Sequence, residues 1–235
     1  MRLEVLTDAG AVARAAAAII AREARAAAAA RGRFALAVSG GHTPGAMLRL
    51  LADEDLPWAA VHLFQVDERV APAGNPERNL TQLTECLLQR APIPPAQIYP
   101  MPVDSPDLAV AALEYAATLR TIAGSPPVLD LVHLGLGPDG HTASLVPGDA
   151  VLDTTEADVG LTGSYQGRRR MTLTYPALNR ARRVLWIVIG EEKAAVLGRL
   201  RAGDQTLPCG RIRRGNALIL ADLAAAPGSP SACAT

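Results

Sequence analysis

Short apolar runs alternate with longer segments of helical periodicity along the chain. The runs predicted as strands are Leu3–Leu6, Phe34–Val38, Val61–Val66, Gln97–Met101, Val128–Leu134, Met171–Thr174, Val184–Ile189 and Ala217–Ala221. The helices predicted between them run from Asp8 to Gly32, from Pro44 to Ala52, and over Asn79–Gln89, Pro106–Ile122 and Glu191–Leu200. Continuous apolar strands that alternate with helices are typical of a mostly parallel sheet covered on both faces. We therefore expect an α/β fold.

The length of the chain fits one α/β domain, with room for a small appended subdomain. The 235 residues contain neither an internal repeat nor a linker that separates two large domains. Residues 149–166 are polar and predicted to be rich in loops, and Gly160–Arg169 is a candidate lid. We predict one domain over residues 1–224 and a flexible C-terminal tail over residues 225–235.

Charge and cysteine usage exclude several classes of protein. The 23 Lys and Arg residues balance 23 Asp and Glu residues, which argues against a general binder of nucleic acid or anionic membranes. Of those cations, 22 are arginine and one is lysine, Lys193. The N-terminus lacks a signal peptide, and no apolar run approaches the roughly 18 residues of a membrane span. Cys86, Cys209 and Cys233 are isolated, so we expect a cytoplasmic protein without a metal site.

The first candidate segment follows the second predicted strand and reads Ser39-Gly40-Gly41-His42-Thr43-Pro44. Glycines allow backbone N–H groups to approach a ligand closely, and a helix N-terminus favours an anion. Phosphate binding is one interpretation, with Ser39 and Thr43 as hydroxyl donors, and an ordinary strand-to-helix turn is the other. The Walker spacing is absent.

The second segment is Asp67-Glu68-Arg69, where the strand Val61–Val66 ends. These charges either bind a phosphosugar or form a surface salt bridge among themselves. Asn79, further along, is either a contact for a substrate hydroxyl or a helix cap.

The third segment is the most specific, because Asp139 and His141 lie two residues apart in the glycine-rich loop Gly135–Gly148. An imidazole suits general base catalysis near neutral pH, and a nearby carboxylate can orient it. The alternative is a turn in which Asp139 hydrogen-bonds its own backbone. His62 and His133 lie within apolar strands and are predicted to be structural.

The fourth segment combines Arg170, before a strand, with Lys193, in the first turn of a helix. A cation is unfavourable at a helix N-terminus unless it faces an anion. Because the chain otherwise uses arginine, the single lysine favours a functional role over a solvated surface position.

With these four segments in this order, the chain resembles the 6-phosphogluconolactonase family of the bacterial pentose phosphate pathway. The related glucosamine-6-phosphate deaminases share its Rossmann-like fold and its phosphosugar site. Their pattern has a catalytic glutamate five residues after the loop histidine, where this chain has Val146. Lactonases usually have phenylalanine there, so Val146 departs from both patterns.

The resemblance implies hydrolysis of 6-phospho-D-glucono-1,5-lactone, a small-molecule substrate, without a metal or another cofactor. It implies that His141 is the general base and that Asp139 orients it. Gly40 and Gly41 would bind the phosphate, together with Ser39, Thr43, Arg170 and Lys193. Arg69 would either bind the phosphate or stabilise the oxyanion. Asp67 and Asn79 would contact the sugar hydroxyls.

Two other functions stay open from the sequence alone. One is an isomerase or deaminase acting on an amino-sugar phosphate, and the other is a non-catalytic phosphosugar-binding module. We expect neither nucleic acid nor a membrane as a partner. The oligomeric state is expected to be a monomer or a small homo-oligomer.

Overall fold

The computed structural model of the protein describes residues 1–228 and contains two sheets. Its strands and helices are, in chain order, β1 (Arg2–Leu6), α1 (Ala9–Arg31), β2 (Phe34–Val38), α2 (His42–Ala52), β3 (Val61–Gln65), β4 (Asp67–Arg69), α3 (Asn79–Leu83), β5 (Ile98–Tyr99), α4 (Leu108–Ala123), β6 (Leu131–Gly135), β7 (Val159–Leu161), β8 (Arg170–Leu173), α5 (Tyr175–Arg180), β9 (Val184–Val188), α6 (Ala194–Ala202) and β10 (Ala217–Asp222). The main sheet has seven parallel strands in the order β1-β10-β9-β6-β2-β3-β5. The predicted parallel α/β fold is confirmed.

The main sheet separates two hydrophobic cores. On β2, Phe34 and Leu36 pack with α1 and α2 on one face, whereas Ala35 and Ala37 belong to the core that contains α4, α5 and α6. This alternation follows from the two-residue period of a strand. Both faces are therefore covered, as the continuous apolar runs indicated.

Successive strands join the main sheet first on one side of β2 and then on the other. The strands β3 and β5 follow on one side of β2, and β6, β9 and β10 lie on the other. In open α/β sheets the loops that leave such a switch point diverge and open a crevice at the carboxyl ends of the strands. Here the loops after β2 and β6 border that crevice.

The second sheet is antiparallel and has the order β4-β8-β7. Its first strand consists of Asp67, Glu68 and Arg69, which were predicted to follow the strand Val61–Val66 without forming a strand of their own. The pairing of β4 with β8 joins segments about a hundred residues apart, so no local pattern reveals it. This small sheet is an addition to the parallel core.

Several predicted boundaries are wrong in detail. The helix predicted over Asn79–Gln89 is α-helical only to Leu83 and continues as a π-helix over Thr84–Leu88. Ala225 and Ala226, assigned to the flexible tail, are buried in the core with α4, and residues 229–235 of that tail lie outside the described residues. Within residues 1–228, no helix is long and apolar enough to cross a membrane.

Candidate active site

A cavity of about 220 Å³ opens at the carboxyl ends of β2, β6 and β9, beside the small sheet. It is lined by every site residue that the sequence predicted except Asp139: Ser39, Gly40, Gly41, Thr43, Asp67, Arg69, Asn79, His141, Arg170 and Lys193. Four segments that are distant in sequence therefore meet at the place where this fold class binds ligands.

Asp139 and His141 form a hydrogen-bonded pair at the edge of this cavity. Asp139 Oδ1 lies 2.6 Å from His141 Nδ1 and also accepts the His141 backbone N–H at 3.1 Å. Burial acts to raise the pKa of Asp139, but these hydrogen bonds and the nearby imidazole lower it on balance. Because an ionised carboxylate only accepts hydrogen bonds, Nδ1 is the donor to Asp139, and in a neutral imidazole this leaves the lone pair on Nε2. Among the described residues, no group hydrogen-bonds to Nε2.

The loop backbone is shaped around the imidazole of His141. A Cβ atom on Gly137 would lie 2.1 Å from His141 Nδ1, so only glycine fits there. Gly137 N–H also donates to the His141 carbonyl at 2.8 Å. The backbone hydrogen bond predicted for Asp139 and its contact with the imidazole of His141 are therefore both present.

Arg69 and Arg170 lie directly opposite each other on β4 and β8. Like charges in such a cross-strand pair are destabilising unless an anion lies between or beside them. Arg69 Nη1 donates to Asn79 Oδ1 and to the Glu77 carbonyl, both at 2.7 Å. Burial and then the proximity of Arg69 lower the pKa of Arg170. This arrangement favours binding of an anion.

Lys193 brings a third positive charge to the cavity from the turn that precedes α6. Its ammonium group makes neither a hydrogen bond nor an ion pair with another residue in the described part of the chain. The structure thus places the single lysine where the sequence predicted a functional cation, with its charge available to a ligand.

Asp67 and Asn79 form a buried network beneath Arg69. Asp67 Oδ2 accepts the Ser144 hydroxyl at 2.6 Å, and Asn79 Nδ2 donates to the Asp67 carbonyl at 2.9 Å. Both residues are nearly inaccessible to solvent, at 4% and 3% exposure. They already have protein partners, so they hold the arginine in place before any contact with a sugar hydroxyl.

Glu68 lies on the opposite face of β4 from Arg69 and anchors the start of α3. Its side chain is fully buried, accepts the N–H groups of Asn79 and Leu80 at 2.8 Å each, and forms an ion pair with Arg78 at 3.2 Å. The two-residue period of the strand explains why its neighbours face the cavity and it does not.

The glycine-rich turn after β2 differs from a simple phosphate cradle. Ser39 directs its hydroxyl to the His133 carbonyl at 3.1 Å, and the Gly41 N–H donates to Gln82 Oε1 at 2.8 Å. A Cβ atom on Gly40 would lie 2.1 Å from Asn79 Oδ1. Gly40 therefore permits close packing with Asn79. The Gly41 N–H would have to break its hydrogen bond to Gln82 before it could donate to a ligand.

The two histidines predicted as structural differ in burial. His133 is 1% exposed on β6, and burial lowers its pKa to about 4. His62 is only half-buried, and its Nδ1 lies 2.9 Å from the Tyr99 hydroxyl. Neither lines the cavity.

Sequence reasoning missed three residues that shape the site: Ser144, Gln82 and Tyr165. The Tyr165 hydroxyl donates to Asp139 Oδ2 at 2.9 Å. Tyr165 lies inside Gly160–Arg169, the candidate lid, where no periodicity distinguishes it. The position of Ser144 just after His141 was the one available signal, since neighbouring polar residues of a catalytic loop often contact the same site.

Comparisons with known proteins find relatives over nearly the whole chain. A family model described as glucosamine-6-phosphate isomerases/6-phosphogluconolactonase matches residues 7–220. A 6-phosphogluconolactonase of Mycobacterium tuberculosis is 38% identical over 97% of this chain and 98% of its own. The structure of a 6-phosphogluconolactonase from Thermotoga maritima has a TM-score of 0.83 at 26% identity, and the match covers 94% of this chain and 98% of that one. A glucosamine-6-phosphate deaminase with a TM-score of 0.84 is 16% identical over 96% of this chain and 98% of that one, and shows a shared fold alone.

Proposed function

Because the chain belongs to the family of glucosamine-6-phosphate isomerases and 6-phosphogluconolactonases, we propose that it hydrolyses 6-phospho-D-glucono-1,5-lactone to 6-phospho-D-gluconate. This is the lactone-opening step of the oxidative pentose phosphate pathway. The observation that carries the proposal is the Asp139–His141 pair beside a cavity lined by three cations. The partner is thus a small anionic sugar lactone.

In the proposed mechanism, His141 acts as the general base. Its Nε2 accepts a proton from water as the water oxygen attacks the lactone carbonyl, and the carbonyl oxygen becomes an oxyanion. The imidazolium then returns the proton to the ring oxygen as the bond from the carbonyl carbon to that oxygen breaks. Asp139 stabilises the imidazolium and keeps the ring in one orientation, as carboxylates do beside other catalytic histidines.

The three cations bind the negative charge of the substrate. Arg170 and Lys193 bind the 6-phosphate, assisted by Thr43 and the N-terminus of α2. Arg69, which lies between Asn79 and the cavity, either joins them or stabilises the oxyanion. Binding energy from the remote phosphate positions the lactone, so removing the phosphate lowers the turnover rate as well as the affinity.

The loop after His141 supports hydrolysis over deamination. Val146 stands where the deaminase pattern has its catalytic glutamate, and it is 3% exposed within the apolar core. A buried valine cannot transfer a proton. Because one fold hosts both activities in this family, the side chains of the site decide between them.

We also propose the cytoplasm as the compartment of this reaction. The cysteines within residues 1–228, Cys86 and Cys209, are buried free thiols. Unpaired thiols are typical of proteins from a reducing compartment.

The test is a coupled assay with freshly generated lactone, from which spontaneous hydrolysis is subtracted. We expect turnover by the unaltered protein and its near loss in His141→Ala. The matched control is His62→Ala, which removes a histidine outside the cavity and should retain turnover. Full activity in His141→Ala would refute the role of the base, and release of ammonia from glucosamine 6-phosphate would instead support a deaminase.

A further inference from the structure

Tyr165 lies at the tip of a tight hairpin between β7 and β8. Tyr165 and Arg168 pair through two backbone hydrogen bonds, with N to O distances of 2.9 and 3.2 Å. The two residues between them, Gln166 and Gly167, have φ angles of 52° and 78°. Two successive positive φ angles are typical of a type I′ turn, whose twist matches the flanking strands. The position of Tyr165 is therefore fixed by its backbone.

The hairpin is also attached to the loop that precedes α3. Arg168 forms an ion pair with Glu77 at 2.7 Å, and the carbonyl of Glu77 accepts a hydrogen bond from Arg69 at 2.7 Å. The turn that carries Tyr165 is thus connected to the loop that holds a cation of the site.

The side chain of Tyr165 contacts both halves of the proposed active site. Its hydroxyl donates to Asp139 Oδ2 at 2.9 Å and lies 3.4 Å from His141 Nδ1. Its ring packs edge-on against the His141 ring, with centroids 5.5 Å apart. The other contact is with Arg170, whose guanidinium carbon lies 4.8 Å from the centre of the tyrosine ring.

These contacts engage both oxygens of Asp139. Oδ1 accepts hydrogen bonds from His141, and Oδ2 accepts the tyrosine hydroxyl. The Asp139 side chain is 35% exposed, so water competes for Oδ2 whenever the hydroxyl is absent. Burial and the hydrogen bond to Asp139 raise the pKa of Tyr165, which keeps the hydroxyl protonated and donating.

We infer that Tyr165 is a positioning residue that orients Asp139, and through it His141, while its ring holds the guanidinium of Arg170 at the anion site. The hydroxyl serves the chemical step, and the ring serves substrate binding. This inference rests on the proposed lactonase function. It assigns two separable roles to two parts of one side chain.

Two substitutions separate these roles. Tyr165→Phe keeps the ring and removes the hydroxyl, so we expect kcat to fall by about tenfold and KM to stay within about twofold, as for loss of one hydrogen bond to a charged group. Tyr165→Leu also removes the aromatic face, so KM should rise by a further few-fold. The matched control is Tyr99→Phe, which removes a hydroxyl bonded to His62, a pair that does not line the cavity, and should leave both constants unchanged.

A double-mutant cycle tests whether Tyr165 acts through Asp139. In an Asp139→Asn background, Tyr165→Phe should lower kcat by less than about twofold, because the oriented carboxylate is already lost. Independent effects that multiply in the double mutant would overturn the inference. Equal thermal unfolding midpoints of Tyr165→Phe and the unaltered protein would show that the loss of kcat does not come from unfolding.

The outcomes also separate this inference from the proposed function. If the unaltered protein hydrolyses the lactone, His141→Ala does not, and Tyr165→Phe matches the unaltered kcat, only the inference on Tyr165 is wrong. If the unaltered protein does not hydrolyse the lactone, the proposed function and the inference are both wrong.

Discussion

Replacement of Lys193 by alanine tests the proposed phosphate site most directly. Because the ammonium has no partner within residues 1–228, its removal leaves no buried group unpaired, and the folded state should lose little stability. The substrate phosphate, in contrast, loses one charge-assisted hydrogen bond. Such a bond contributes about 1.5–3 kcal/mol. At about 1.4 kcal/mol per factor of ten, KM should rise roughly 10- to 100-fold.

The effect on kcat separates the phosphate from the reacting carbonyl. A cation that binds only the remote phosphate changes KM more than kcat, whereas one beside the oxyanion changes kcat. Steady-state rates of Lys193→Ala in the coupled lactone assay measure both constants. Arg201→Ala is the control, since it removes an exposed cation from the same helix, α6. A KM within twofold of the unaltered value would refute the phosphate role, and a large loss confined to kcat would reassign Lys193 to the oxyanion.

Three further predictions concern the scaffold of the site. Gly137→Ala places a Cβ atom 2.1 Å from His141 Nδ1 and should lower kcat about a hundredfold with phosphosugar binding retained. Glu68→Ala removes the buried carboxylate partner of Arg78 and the acceptor of two backbone N–H groups, and should lower the free energy of unfolding in urea by about 3–5 kcal/mol. Burial lowers the pKa of His133 to about 4, below the value near 6.5 of an exposed histidine in the unfolded chain. The stability gained by keeping this histidine neutral is therefore complete above about pH 6.5 and decreases as the pH falls toward 4. From pH 7.5 to 5 the unaltered protein should lose about 2 kcal/mol more unfolding free energy than His133→Gln.

Each of these predictions has an outcome that contradicts it. Gly198→Ala, in open space on α6, is the control for Gly137→Ala, and equal kcat in the two variants would show that the loop yields without moving the imidazole. A loss below about 1 kcal/mol in Glu68→Ala would mean that the remaining ion pair of Arg78 with Asp104, or entering water, compensates for the lost carboxylate. Parallel pH profiles for the unaltered protein and His133→Gln would show that His133 accepts a proton without cost to the fold.

The place where the candidate residues meet was predictable from the sequence, whereas the structure that supports them was not. The glycine-rich loop, Asp139, His141 and Lys193 follow strands of strong apolar character, and the carboxyl ends of parallel strands meet at one edge. The pairing of Arg69 with Arg170 depends instead on a second sheet whose strands are about a hundred residues apart. Tyr165 depends on the hairpin of that sheet, so its role follows only from the three-dimensional structure.

Cavity size alone does not identify the functional site of this protein. A larger cavity, of about 860 Å³, lies at the opposite, amino ends of the strands and is also lined by arginines. There, Arg31 forms an ion pair with Asp130 at 2.7 Å and Arg183 with Glu23 at 3.2 Å, so these cations already have carboxylate partners. At the carboxyl ends, Lys193 retains its charge for a ligand. The equal numbers of acidic and basic residues thus conceal a local excess of positive charge, and a small dianionic substrate fits that excess better than an extended polyanion does.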